Sequence, residues 1–221
     1  LWIGGDGNGL CQVHADGRIT VLGVGEQPGQ LRNGQIYTLR PDARGRMWIG
    51  TGGGLVRWEN ERLHAVAPAQ LGNRVITRIS VDNDGRIWVG SHDALWTLRV
   101  ADESLVPVAG PDGQPLRSAG VLQDRHGVHW LGTASGLYMG QGASMRQLHG
   151  GALSGLWTPG SSVLDMLQDH EGGLWFATYS QGLAYLPPDW RRFSNVHQLQ
   201  GRMLESISMT RSTADGDGFL I

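Results

Sequence analysis

Four short stretches of this sequence carry residue types that could do chemistry. His126-Gly127-Val128-His129 holds two imidazoles, which are common zinc donors. Its spacing places His126 in a turn and His129 on a strand, and such a strand-entry pair is a poor metal site without more donors. They are read as framework residues, and no metal is expected. Asp82-Asn83-Asp84-Gly85 begins like a calcium loop, but the glutamate that closes such a loop is missing. Its sister stretches carry Arg44, His126 and Glu171 in the Asp84 slot, so it is read as a hairpin turn, as is Asp215-Gly216-Asp217-Gly218. His92-Asp93 sets an imidazole beside a carboxylate, the minimal acid–base pair. Ser, His and Asp all occur, yet no nucleophile elbow or activated-cysteine signature accompanies them. No catalytic residue and no cofactor is therefore expected.

The elements that would position such residues follow from a repeat. Asp82-Asn83-Asp84-Gly85 runs into Ile87-Trp88-Val89-Gly90-Ser91. The same pattern returns as Asp42 to Gly45 before Trp48, Asp124 to Gly127 before Trp130, and Asp169 to Gly172 before Trp175. Trp2 stands in an opening copy, and Leu220 marks a last one without tryptophan. The residues ahead of the Trp slot are Leu1, Met47, Ile87, His129, Leu174 and, in the last copy, Leu220 itself, so the spacings are 46, 40, 42, 45 and 46 residues. A period in the forties with one aromatic signature per unit indicates a propeller blade or similar array. Asp-x-x-Gly is hairpin chemistry, because Asp bonds its own backbone and Gly accepts a positive φ.

Each unit reads as four short strands of an all-β β-propeller, about five repeats of antiparallel blades. Innermost strands are expected over 36–42, 75–82, 118–124 and 163–169, each leading into a Trp strand. Full blades are placed at about 35–67, 74–109, 117–149 and 162–194, with partial blades at 1–23 and 204–221. No stretch shows an apolar 3.6-residue period with caps, so helices are not expected. Stacking blades buries the large ring of each on a neighbouring sheet. Trp2, Trp48, Trp88, Trp130 and Trp175 are therefore read as core between sheets, and the glycine two places on as room for close approach.

Both ends of the chain supply a Trp-type strand, Leu1-Trp2-Ile3 and Phe219-Leu220-Ile221. This overlap favours a segment of a larger, seven-bladed type of propeller; a closed five-blade ring completed by 205–211 is the alternative. An unclosed array exposes strand edges, so homodimers through those edges are expected.

Composition excludes several classes. The formal net charge is −2, which argues against a nucleic-acid or acidic-membrane surface. The single cysteine, Cys11, excludes an intrachain disulfide scaffold. No apolar run is long enough to span a membrane.

In a propeller the loops after the Trp strands gather on one face with the inter-blade connections. Here they read Asp6-Gly7-Asn8, Gly52-Gly53, His92-Asp93, Ala134-Ser135 and Tyr179-Ser180-Gln181. Framework positions repeat and these do not, as expected where a scaffold presents differing loops around a site. Asn8, His92, Asp93, Tyr179 and Gln181, with Trp157 of the Gly/Ser/Pro-rich connection, are the ligand-contact candidates. An aromatic platform among polar groups suits a carbohydrate or a peptide. A Trp157 folded over a blade edge is the competing reading.

Asp-x-x-Gly-x-φ-Trp-φ-Gly-Thr followed by Gly-Leu, in four good copies and two truncated ones, resembles the two-component regulator propeller repeat. The departures are Ala177 in the glycine slot, His129 in an aliphatic slot and the eroded last copy. The resemblance implies a periplasmic sensor ectodomain of a histidine kinase, a hybrid two-component protein or a diguanylate cyclase. It implies a neighbouring propeller or immunoglobulin-like domain as partner, besides a small-molecule, carbohydrate or peptide ligand, and catalysis elsewhere in the full-length protein. Streptogramin lyases share similar repeats, so a propeller enzyme using His92 and Asp93 is one alternative function, and a protein-interaction scaffold is another.

Overall fold

The computed structural model describes residues 1–27, 29–141, 144–148, 162–179 and 181–188, with the backbone of 198–199 and 202–203. The chain divides into two compact units, Leu1–Pro188 and Asp189–Ile221. The first holds five antiparallel sheets of three or four strands, each a meander in chain order. The first sheet is β1 (Trp2–Gly4), β2 (Leu10–Val13) and β3 (Ile19–Leu22). The second is β4 (Ile36–Pro41), β5 (Met47–Thr51), β6 (Gly54–Glu59) and β7 (Arg62–Val66). The third is β8 (Ile76–Val81), β9 (Ile87–Ser91), β10 (Leu95–Arg99) and β11 (Ser104–Pro107). The fourth is β12 (Ser118–Gln123), β13 (His129–Thr133), β14 (Gly136–Gln141) and β15 (Ser144–Gln147). The fifth is β16 (Val163–Gln168), β17 (Leu174–Thr178) and β18 (Gly182–Leu186). In the second unit, β19 (Gln198–Leu199) pairs with β20 (Arg202–Met203). The fourth strand expected within 162–194 and the partial blade 204–221 lie outside the described residues.

One helix departs from the sequence expectation: α1 (Pro68–Leu71), a single turn in the connection after β7. Pro68 at its start has φ already set for a helix and no N–H to lose. The turn is too short to show an amphipathic period, which is why patterning does not find it.

The Asp-x-x-Gly turns do more than reverse the chain. Asp82 Oδ1 accepts the backbone N–H groups of Asp84 and Arg86 at 3.1 and 2.8 Å. Its other oxygen, Oδ2, accepts the indole N–H of Trp88 at 3.0 Å. The same Asp–Trp bond joins Asp42 to Trp48 at 2.9 Å, Asp124 to Trp130 at 3.0 Å and Asp169 to Trp175 at 2.8 Å. One carboxylate thus orders the turn and satisfies the polar atom of a ring meant for burial. Gly85, at φ +76°, takes the left-handed step that the turn requires.

Trp48, Trp88 and Trp130 are fully buried. Trp48 packs with Leu55 and Val66 of its own sheet against Ile79, Ile87 and Val89 of the next. Trp88 packs likewise against Leu131 and Tyr138, and the Trp130 ring lies 5.5 Å from Phe176. Each sheet therefore presents its Trp to the following sheet and the next residue along to the preceding one. Close approach explains the Trp-x-Gly spacing: a Cβ on Gly50 would sit 2.6 Å from the Ile76 carbonyl oxygen, and one on Gly132 2.9 Å from that of Val163. Trp2 is half-buried and meets Trp58 edge-on at 5.8 Å. Trp175 departs from the expected burial, at 37% exposed, since no sheet among the described residues follows its own. Leu167 and Leu183 beside it are exposed, as are Ile3, Ile19 and Val21 on the first sheet.

Candidate functional site

Every inner strand from the second sheet to the fifth is irregular just after it begins. The ladder shifts between Ile36 and Thr38, Ile76 and Arg78, Ser118 and Gly120, and Val163 and Asp165. These bulges open each sheet on the face where the Trp-strand loops and inter-blade connections emerge. The opposite ends are closed by the Asp-x-x-Gly turns.

Two cavities open on this loop face, in equivalent places. The larger, of about 380 Å³, lies over the second sheet, between the connection 23–34 and the segment around α1. Leu55, Val66 and Leu71 give it an aliphatic floor, and Gln27, Gln30, Asn33 and Asn73 supply amides at its wall. The connection is shaped by its own backbone: Gly25 N–H donates to the Leu31 carbonyl at 2.9 Å and Leu31 N–H to the Gly23 carbonyl at 3.0 Å. Gln27 N–H donates to Gln30 Oε1 at 3.1 Å, which fixes one amide of the wall. The second cavity, of about 340 Å³, lies over the fourth sheet and is lined by Asp112, Arg117, Ser135 and Tyr138 among others. Tyr138 stands there where the larger cavity has Val56.

Among the described residues, the sequence-predicted contacts do not line the larger cavity. Asn8 is exposed between β1 and β2. His92 and Asp93 are exposed after β9, but Asp93 is already engaged: it accepts Ser91 Oγ at 2.5 Å and pairs with Arg74. Those two donors hold the Asp93 carboxyl below the usual carboxylate range. Arg74 also stacks over Trp96, its guanidinium carbon 5.5 Å from the ring centre. Tyr179 is 78% exposed and Gln181 is exposed, its N–H donating to Thr178 Oγ1 at 3.0 Å. Trp157 lies outside the described residues. The cavity residues eluded the sequence reading because they sit in an irregular connection. The one available signal was the Gly/Gln/Pro-rich composition of 23–34.

His129 also proves to have a partner that sequence spacing did not reveal. Its Nε2 lies 3.0 Å from Asp82 Oδ2 in the preceding sheet, and its ring 5.0 Å from Trp88. Burial alone pushes the Asp82 carboxyl up, but Trp88, the Arg86 N–H and His129 together hold it below the ordinary value. Among the described residues, no group of three His, Cys, Asp or Glu side chains converges as a metal site would require.

The sequence matches the family described as two component regulator propeller over residues 30–53, 70–93 and 159–180. These segments, about a third of the chain, are similar to that family's repeat. No curated protein sequence matches the chain. The extracellular domain of the putative one component system BT4673 from B. thetaiotaomicron is similar in structure, with a TM-score of 0.67 and 17% identity over 83% of this chain and 25% of that one. The extracellular domain of the putative hybrid two component system BT3049 from B. thetaiotaomicron gives 0.63 and 19%, over 83% of this chain and 24% of that one. Virginiamycin B lyase from Staphylococcus aureus gives 0.57 and 12%, over 82% and 63%. At these identities the likeness shows a β-propeller fold, and the chain spans about a quarter of the length of the two ectodomains. No helix among the described residues is long and apolar enough to cross a membrane.

Proposed function

We propose that this propeller is the non-catalytic signal-input part of a bacterial receptor, of the two-component or diguanylate cyclase type, lying in the periplasm. It takes a small molecule, carbohydrate or peptide, or a partner domain, on its loop face. The observation that carries this reading is the contrast between the two ends of the sheets. At the turn end the Asp carboxylates are satisfied by backbone and indole donors, whereas the loop end opens into cavities walled by residues that do not repeat. The extracellular location of the similar ectodomains supports the periplasm.

Ile3 at one end, and Trp175 and Leu183 at the other, are exposed at positions whose counterparts in the inner sheets, such as Ile49, Trp130 and Leu137, are buried. Their repeat positions favour covering by further blades, a neighbouring propeller or a second copy. A lyase-type reading would need His92 and Asp93 to act together, and Asp93 is committed to Ser91 and Arg74.

The test is a response assay on the full-length receptor carrying His92→Ala, Tyr179→Ala and Trp157→Ala, with a melt alongside. Loss of response with stability changed by no more than about 0.5 kcal/mol per exposed site is the expected result. Normal signalling would move the site away from these residues, and a collapsed melt would make them structural.

A further inference from the structure

The geometry points to a small zwitterion with an apolar side chain, such as a free aliphatic amino acid, as the occupant of the larger loop-face cavity. This names a ligand class for the loop face and rests on the signal-input reading above. Only two residues lining the cavity are charged, Glu26 and Arg32. Both are exposed, and neither makes an ion pair among the described residues. The Gly25 to Leu31 backbone bond and the pairing of Val24 with Leu31 hold the segments that carry them side by side. One carboxylate and one guanidinium at a single opening would repel part of any singly charged ligand. A molecule carrying both signs satisfies both.

Below the charges, the floor of Leu55, Val66 and Leu71 is aliphatic and buried, which suits an apolar side chain and disfavours a polar one. The volume, about 380 Å³, is at the small end of ligand pockets. Gln30, Asn33 and Asn73 offer amides for orientation. The cavity over the fourth sheet lacks this combination, because Asp112 Oδ1 already accepts the Gln114 N–H at 3.1 Å and Tyr138 is among its lining residues.

The experiment titrates the chain with L-leucine and two one-charge relatives, 4-methylpentanoate and 3-methylbutylamine, by calorimetry and amide chemical shifts. Leucine should bind, and each relative should bind at least about tenfold more weakly, since each loses a charge-assisted contact. Arg32→Gln should weaken leucine and 4-methylpentanoate without weakening 3-methylbutylamine, which is relieved of a like charge; Glu26→Gln should weaken leucine and 3-methylbutylamine without weakening 4-methylpentanoate. Glycine should compete poorly. Equal binding of all three probes, insensitivity to both substitutions, effective competition by glycine, or no binding of leucine would each overturn the proposal. These outcomes are read on the isolated chain, so they are distinct from failure of the receptor response assay, which bears on the signal-input reading itself.

Discussion

The junction between the second and third sheets and the junction between the third and fourth solve the same problem differently. At the former, Ile87 fills the slot ahead of the Trp and joins an aliphatic cluster around Trp48. There the Asp42 carboxylate is completed from within its own sheet, by Arg46 Nε at 2.7 Å. At the latter, His129 of the next sheet reaches back to Asp82 instead, while an arginine over the ring is common to both, Arg46 at 5.2 Å from Trp48 and Arg86 at 5.9 Å from Trp88. Gln123, the register partner of His129, adds a second tie by accepting the Asn83 N–H at 2.6 Å and donating to Asp84 at 3.2 Å. Burial of Ile87 is non-directional and tolerates small shifts. The His129 and Gln123 contacts fix which atoms meet, at the cost of a desolvated carboxylate and a buried His129 Nδ1 that makes no hydrogen bond. The former junction has directed bonds of its own, from Arg57 to Glu103 and between the Gln70 amide of α1 and the Leu105 backbone at 2.8 and 3.1 Å, so the junctions differ in where the turn Asp finds its partner: within its own sheet at one, in the next sheet at the other.

The largest expected effect removes what both junctions share. Trp88→Ala and Trp48→Ala should each cost about 3–5 kcal/mol in denaturant melts, by the large-to-small rule for buried rings. Trp88→Ala should lie at the upper end, because it also strips a donor from Asp82 and a ring from beside His129. A loss below about 1 kcal/mol for either would contradict the burial.

The repeat made much of this readable in advance. The turn, the Trp core and the Trp-x-Gly spacing each follow from residue types at fixed offsets. The Asp–Trp bond spans six residues and recurs in phase, so asking where each buried indole N–H goes would have found it. His129 carried a signal too: a polar residue in a slot that is aliphatic in every sister copy needs a partner. Which atom supplies it depends on the preceding sheet, and no local pattern encodes that contact. The cavity over the second sheet was the least legible feature. Its walls come from a connection that neither repeats nor forms strands, and its shape rests on backbone bonds such as Gly25 to Leu31.

A smaller effect separates the junctions by charge. Asp82→Ala should cost about 2–3 kcal/mol, since it leaves an indole N–H and an imidazole without their acceptor. His129→Leu restores the aliphatic slot and should cost only about 1 kcal/mol. Acid distinguishes the two variants further. The depressed Asp82 carboxyl contributes stability that is fully present above the ordinary carboxylate value of about 3.9 and is lost as pH falls through its lowered value. His129→Leu removes one of the donors that lower it, so the acid limb of the stability curve should move to higher pH. Asp82→Ala should flatten that limb. Acid melts of the three proteins that superimpose would show that the directed bonds contribute nothing.

The smallest effect tests whether a junction exists at all beyond the fifth sheet. Trp175 keeps the Asp169 bond at 2.8 Å and the Tyr185 ring at 4.5 Å, yet it is 37% exposed. Its sister Trp130 makes the same Asp bond but is fully buried, against Phe176 of the sheet that follows. With its outer face in water, Trp175→Ala should cost no more than about 1 kcal/mol, well short of the core rule. The Trp175 fluorescence should also be open to quenching by iodide, against a Trp175→Phe reference. A loss matching that of Trp88→Ala, or a shielded ring, would show that another blade or a second copy covers this face in solution. In that case the fifth sheet would behave as an inner sheet, and its exposed Leu183 should be buried as its counterpart Leu137 is. Repeating the melt across a range of protein concentrations tells a second copy from a covering within the same chain, because only the former depends on concentration.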